Sequence, residues 1–110
     1  MNREEADLVT HELTRDIVTI GRAQLNQLVL DHPTVSAQHA MLLRFGDSYW
    51  LKDLNSTNGI QINDRPVTDA LLKDGDKIRF GSVIAVFEGR YRKGPNSRIR
   101  KILGEYFGLS

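Results

Sequence analysis

Three groups of polar residues stand where strand-like runs end: Gly21-Arg22, Ser36-x-x-His39 and Asn55-Ser56-Thr57-Asn58-Gly59. Together they offer a guanidinium, hydroxyls and amide groups, with no evident general base. Such an inventory suits holding an anion better than breaking a bond. A guanidinium presents a planar fork of donors that matches phosphate oxygens. Gly21 permits a close or left-handed turn, so Arg22 projects from a loop instead of lying along a sheet. Taken alone, Arg22 would more commonly be a surface residue in a salt bridge. Ser36 follows the loop-forming run Pro33-Thr34-Val35, and its hydroxyl can donate to a phosphate oxygen.

Ser36 and His39 also have the residue types of a nucleophile and its base. No Gly-x-Ser-x-Gly elbow and no orienting acid accompany them, so catalysis is not expected. His39 precedes the apolar run Ala40 to Phe45, and its expected role is a partly buried brace whose ring nitrogens steady the loops. Asn58-Gly59 is a turn signal in any protein, and a plain connector would use it too. Five polar residues in a row exceed what a turn needs. Thr57 can donate to phosphate, and the Asn58 amide can bond an extended peptide main chain.

The elements that must position these residues read as short strands. At 110 residues, 40% apolar and 26% charged, the chain is one globular domain with a core. It has no cysteine, so disulfides and thiolate metal sites are excluded. No metal or cofactor site and no catalytic residue is expected. No apolar run approaches the ~20 residues of a membrane helix. Glu4, Glu5 and Asp7 near the start do not resemble a secretory signal. A cytoplasmic protein, or a cytoplasmic piece of a larger multidomain protein, is the expectation.

Ile17-Val18-Thr19-Ile20 is β-branched and stops at Gly21, and Leu28-Val29-Leu30 stops at Asp31-His32-Pro33. Three hairpins are expected around Gly46-Asp47, Asn63-Asp64 and Gly81-Ser82. In Ile78, Phe80, Val83, Ala85 and Phe87 the apolar residues alternate. Period two with turns this dense predicts an all-β sandwich over residues 1–89.

Residues 90–110 differ. The stretch 89–110 holds six basic residues and one acidic, Glu105, which leaves the rest of the chain at net −4. Ile99, Ile102, Leu103, Tyr106 and Phe107 have the spacing of one helix face. Asn96 or Ser97 would cap its start and Gly108 its end, after a break at Gly94-Pro95. A basic linker and an amphipathic C-terminal helix are therefore expected.

Gly-Arg, Ser-x-x-His and Ser-Thr-Asn-Gly, followed four residues later by Asn63, resemble the forkhead-associated domain, from about residue 16 to residue 88. Leu71-Leu72-Lys73-Asp74-Gly75-Asp76-Lys77-Ile78 is similar to that family's approach to its last hairpin. The resemblance implies an eleven-stranded, antiparallel-rich sandwich whose loops at one end bind phosphothreonine peptides. By the same resemblance Arg22, Ser36 and Thr57 hold the phosphate, and Asn58 bonds the peptide main chain. His39, Gly21, Gly59 and Asn63 would structure the loops. Ala37 departs from the Arg or Asn that many members carry after the serine. The family's first strand would come from about residues 7–13, abbreviated, with its edge covered by the tail helix.

Two other partner classes compete. One is phosphate-independent docking to protein. The other is nucleic acid or an anionic membrane meeting Arg90-Tyr91-Arg92-Lys93 and Arg98-Ile99-Arg100-Lys101. Five apolar residues on one face favour packing against protein over both polyanions.

Overall fold

Alternation decides which side chains enter the core. Along β4 (Ala40–Phe45), Ala40 and Leu42 are buried while their neighbours are not. Along β9 (Lys77–Phe80), Ile78 and Phe80 are buried between half-exposed Lys77 and Arg79. Successive side chains on a strand point to opposite faces, so each run lays one apolar edge on the opposing sheet. The computed structural model describes residues 8–89 and 97–102, and these form eleven strands in two stacked sheets.

The other strands are β1 (Leu8–Leu13), β2 (Ile17–Gly21), β3 (Leu28–Val29), β5 (Ser48–Asp53), β6 (Ile60–Ile62), β7 (Arg65–Val67), β8 (Asp69–Leu71), β10 (Val83–Glu88) and β11 (Ser97–Ile102). One sheet has the order β1-β11-β10-β9-β6-β7, the other β3-β2-β4-β5-β8. Among the described residues the short β2–β3 pairing is parallel and the other pairings are antiparallel. Ile20, Leu42, Leu51, Ile78, Phe80, Phe87 and Ile99 meet between the sheets with 1% exposure or less. Each such side chain contributes about 1.5–3 kcal/mol by leaving water.

The three two-residue hairpins form where their turn residues predict. Phe45 pairs with Ser48, Ile62 with Arg65, and Phe80 with Val83. Asn63 and Asp64 both hold positive φ, 51° and 70°, as a type I′ turn requires. β8 is a strand the pattern did not reveal. It is three residues long and largely exposed at a sheet edge, so it carries no alternating signal.

The tail helix is a correction. Ser97–Ile102 is a strand, inserted between β1 and β10. Ser97 and Ile99 are buried while Arg98 and Arg100 are half-exposed, which is period two. Over six residues the two periods coincide only at Ile99, too short a run to fix either, and pairing with strands on both sides decides between them. Arg98 and Arg100 each reach Glu88 at 2.7 Å on the outer face. This segment therefore completes the sandwich expected to end at residue 89. It also pairs with β1, which runs a full six residues and is itself the edge strand of this sheet. Leu103, Tyr106, Phe107 and the proposed caps Asn96 and Gly108 lie outside the described residues.

Candidate functional site

β2 ends at Gly21, β4 begins at Ala40, β5 ends at Asp53 and β6 begins at Ile60. Three connecting loops, 22–27, 30–39 and 54–59, therefore gather at one end of the sandwich. Hydrogen bonds join them. Arg22 donates from its main chain to the Ser36 carbonyl at 2.9 Å, and from Nη1 to the Val35 carbonyl at 2.6 Å. Val35 itself is fully buried, so it pegs the middle loop to the core while its carbonyl faces the guanidinium.

Gly21 stands where no side chain fits. A Cβ there would lie 2.2 Å from the Ala37 carbonyl oxygen and 2.8 Å from Asn26 Nδ2. Of the two options that a glycine opens, the structure uses close approach rather than a left-handed turn. Gly59 uses the other option, with φ of +75° and open space around it. Its position is governed by backbone conformation, which L-residues adopt reluctantly.

Ser36 and Thr57 meet directly. The Thr57 main-chain N–H donates to Ser36 Oγ at 3.0 Å. That oxygen is then an acceptor, so its own proton is available for donation outward. The Thr57 side chain is exposed beside it. Asn58 is also exposed, and its Nδ2 donates to the Thr34 carbonyl at 2.8 Å. Among the described residues this is the one hydrogen bond of an amide that can make four.

His39 is fully buried beneath these loops. Its Nδ1 accepts the Ser36 main-chain N–H at 3.0 Å, and its Nε2 lies 2.8 Å from the Gly59 carbonyl. A main-chain N–H can only donate, so Nδ1 is the acceptor and Nε2 carries the proton toward Gly59. The ring stands edge-on to Phe80, with centroids 5.8 Å apart and planes at 88°. One imidazole thus ties two loops to the core.

Asn63 sits elsewhere. It follows β6, which runs away from Gly59, and so lies at the opposite end of that strand. There its side chain bonds Asp76 Oδ1 at 2.9 Å and the Lys77 main chain at 3.0 Å. It orders the β6–β7 turn and is not among the gathered loops.

Three further residues hold the site together and were not singled out from the sequence. Asn26 is buried, and its Nδ2 donates to the carbonyls of Ala23 and Ala37 at 2.9 and 2.7 Å. Asp53 accepts Ser56 Oγ at 2.6 Å and the Ser56 main-chain N–H at 3.2 Å. Ser56 Oγ in turn accepts the Gly59 N–H at 2.9 Å. Thr34 Oγ1 accepts the Ser82 N–H at 2.8 Å while its carbonyl receives Asn58. Asp53-x-x-Ser56 was visible as a side-chain-to-main-chain turn signal. Asn26 and Thr34 carried no comparable mark, because the partners that join loops, Ala37 for one and Ser82 and Asn58 for the other, are distant in sequence.

The arrangement presents a cation and two hydroxyls on loops cross-braced by hydrogen bonds. Among the described residues no group of three or more His, Cys, Asp or Glu could hold a metal. A groove of about 330 Å³ lined by His11, Glu12, Thr14, Arg15, Val18 and Gln27 involves none of the gathered donors.

A family model for the FHA domain matches residues 18–81. The chain belongs to the forkhead-associated domain family. The oxoglutarate dehydrogenase inhibitor of Corynebacterium jeikeium is 36% identical over 75 residues, which cover 68% of this chain and 52% of that protein. The chain thus spans about half the length of that curated relative. The FHA domain of FhaA, solved in complex with the intracellular domain of another protein, superposes with a TM-score of 0.62. It is 29% identical, over 84% of this chain and 98% of that one. An FHA domain solved for its phosphothreonine-dependent interactions gives the same TM-score and identity, over 86% of this chain and 95% of that one. The match to FHA domains takes in the Arg22, Ser36 and Thr57 loops.

Proposed function

We propose that this chain is a non-catalytic reader of phosphothreonine on a partner protein. The observation that carries the reading is the Arg22–Ser36–Thr57 cluster. The three residues stand on adjoining loops, joined by the Arg22 N–H to Ser36 carbonyl bond and the Thr57 N–H to Ser36 Oγ bond and braced by His39 and Asn26. Arg22 would pair with two phosphate oxygens, and Ser36 would donate the proton that its contact with Thr57 leaves free. Thr57 would add a third donor, and Asn58 would bond the peptide main chain through the amide positions it does not use within the fold. A phosphothreonine carries about −1.5 to −2 charge at neutral pH, with strong acceptor oxygens. Fixed donors replace its water shell without having to be ordered on binding.

Similarity to FHA domains known for phosphothreonine-dependent interactions supports this reading. Protein phosphothreonine is made where ATP and kinases are, so the proposed place of action is the cytoplasm. The proposed partner is a phosphorylated signalling protein, met by a module within a larger polypeptide. The basic segment is less free for polyanions than its charge suggests, because Arg98 and Arg100 are tied to Glu88.

Calorimetric titration of one phosphothreonine peptide, before and after phosphatase treatment, tests the reading. Binding that vanishes on dephosphorylation supports it. Binding that is unchanged assigns the surface to phosphate-independent docking.

A further inference from the structure

The outward face of the five-stranded sheet carries an apolar row that meets solvent. The register sets Ile17 of β2 beside Leu43 of β4, Leu43 beside Trp50 of β5, and Trp50 beside Leu71 of β8. One apolar row thus crosses four strands. Ile17 is 53% exposed and Leu71 41%. Phe45, 63% exposed, extends the patch, with its ring 6.3 Å from that of Trp50. The inward neighbours Val18, Leu42 and Leu51 already fill the core, so the row is surplus to what the fold requires. A sheet with one solvated face normally alternates apolar with polar. Contiguous exposed apolar patches mark contact surfaces.

The next row on the same face is Thr19, Met41, Lys52 and Asp69. It holds one cation and one anion, and among the described residues neither takes part in an ion pair. The face is therefore electrically neutral and can meet itself without repulsion.

We infer that this face is a dimerisation surface whose occupant is a second copy of the same chain. A two-fold axis along the strands, between β4 and β5, exchanges β4 with β5 and β2 with β8. It sets Leu43 against Trp50 of the second copy, and Ile17 against its Leu71. In the next row the aliphatic stem of Lys52 lies over Met41 of the second copy, and Thr19 meets its Asp69. No like charges are opposed, as a self-complementary isologous contact requires. Sheets packed this way lie about 10 Å apart with strands within about 30°. Four strands spaced about 4.8 Å make a patch smaller than the ~800 Å² per partner of a standard interface. The dimer is accordingly weak and forms at high local concentration. The axis leaves both sets of loops at the same end, so on the phosphothreonine reading the dimer is a bivalent receptor, which gains avidity for doubly marked partners.

Trp50 is the single tryptophan of the chain and lies within the contact. Sedimentation equilibrium and tryptophan emission of the full chain, followed from micromolar to millimolar concentration, test the inference. The mass should rise toward twice the monomer while the emission shifts to the blue in parallel. Ile17→Lys and Leu71→Lys, both at exposed positions, should abolish the two changes while leaving circular dichroism and phosphopeptide capture intact. A chain that stays monomeric to millimolar concentration, or association that survives both substitutions, overturns it. Neither result bears on the phosphothreonine reading, which capture tests separately.

Discussion

The Ser36 main chain and the His39 ring are joined at 3.0 Å, while the far nitrogen of the same ring reaches the Gly59 carbonyl at 2.8 Å. A fully buried imidazole therefore sets the separation of two loops that each contribute to the proposed phosphate cluster. His39→Ala removes both bonds and opens a cavity against Phe80. Losses of about 2–4 kcal/mol are expected for such a buried truncation. At about 4–8 °C per kcal/mol for a domain this size, a thermal melt should fall by roughly 10 °C or more. An unchanged melting temperature would remove His39 from its bracing role.

Asn26 tests whether the hidden supports of the site matter as much as its exposed donors. Asn26→Ala leaves the Ala37 carbonyl without the Nδ2 donor. The loss should be about 1–3 kcal/mol of stability. Phosphopeptide affinity should fall as well, since the 36–37 segment loses one of its anchors without any ligand-facing group being touched. Titrations of wild type and variant below both melting temperatures would show it. Equal affinities would mean that Arg22 and Ser36 are held by their own contacts alone.

Tyr49 gives a pH signature. Its ring is buried, and its hydroxyl donates to the Arg15 carbonyl at 2.8 Å. Burial raises its pKa above the usual 10.0; Arg44, whose guanidinium stands over the ring, opposes this and Asp16 reinforces it. The unfolded chain gives up this proton at lower pH than the folded chain does. The group's contribution is therefore fully present below pH about 10 and is lost as pH rises toward the folded value. Chemical denaturation between neutral and strongly alkaline pH should show wild type losing stability faster than Tyr49→Phe above pH about 10. Parallel curves would contradict the shift.

Much of this architecture was legible in the sequence because its signals are local. Gly46-Asp47, Asn63-Asp64 and Gly81-Ser82 specify two-residue turns within four positions, and Ile78 and Phe80 alternate with charged neighbours. Arg22, Ser36, Thr57 and Asn58 stood out as donors suited to an anion and a peptide main chain, and the fold places them on adjoining loops. Asn63 was grouped with them by resemblance, and the structure puts it at the other end of β6. What stayed hidden depends on distant partners. β8 is a strand only because β5 offers it an edge. Asn26 looks like any loop asparagine until Ala37 is placed against it. The tail failed for a definable reason. Ile99 and Ile102 fit a helix face, and the open sides of β1 and β10, which make Ser97–Ile102 a strand, cannot be read from the tail itself.

The central claim is that the Arg22 cluster recognises phosphothreonine, and one measurement addresses it most directly. A degenerate phosphothreonine peptide library, with matched phosphoserine and unphosphorylated libraries, would be captured on wild type and on Arg22→Ala. A charge-assisted hydrogen bond contributes about 1.5–3 kcal/mol, so losing the guanidinium should weaken binding by roughly ten- to a hundredfold. The account predicts selective capture of phosphothreonine by wild type and near-complete loss in a folded Arg22→Ala. Equal capture by both proteins, or no preference for the phosphorylated library, would contradict it.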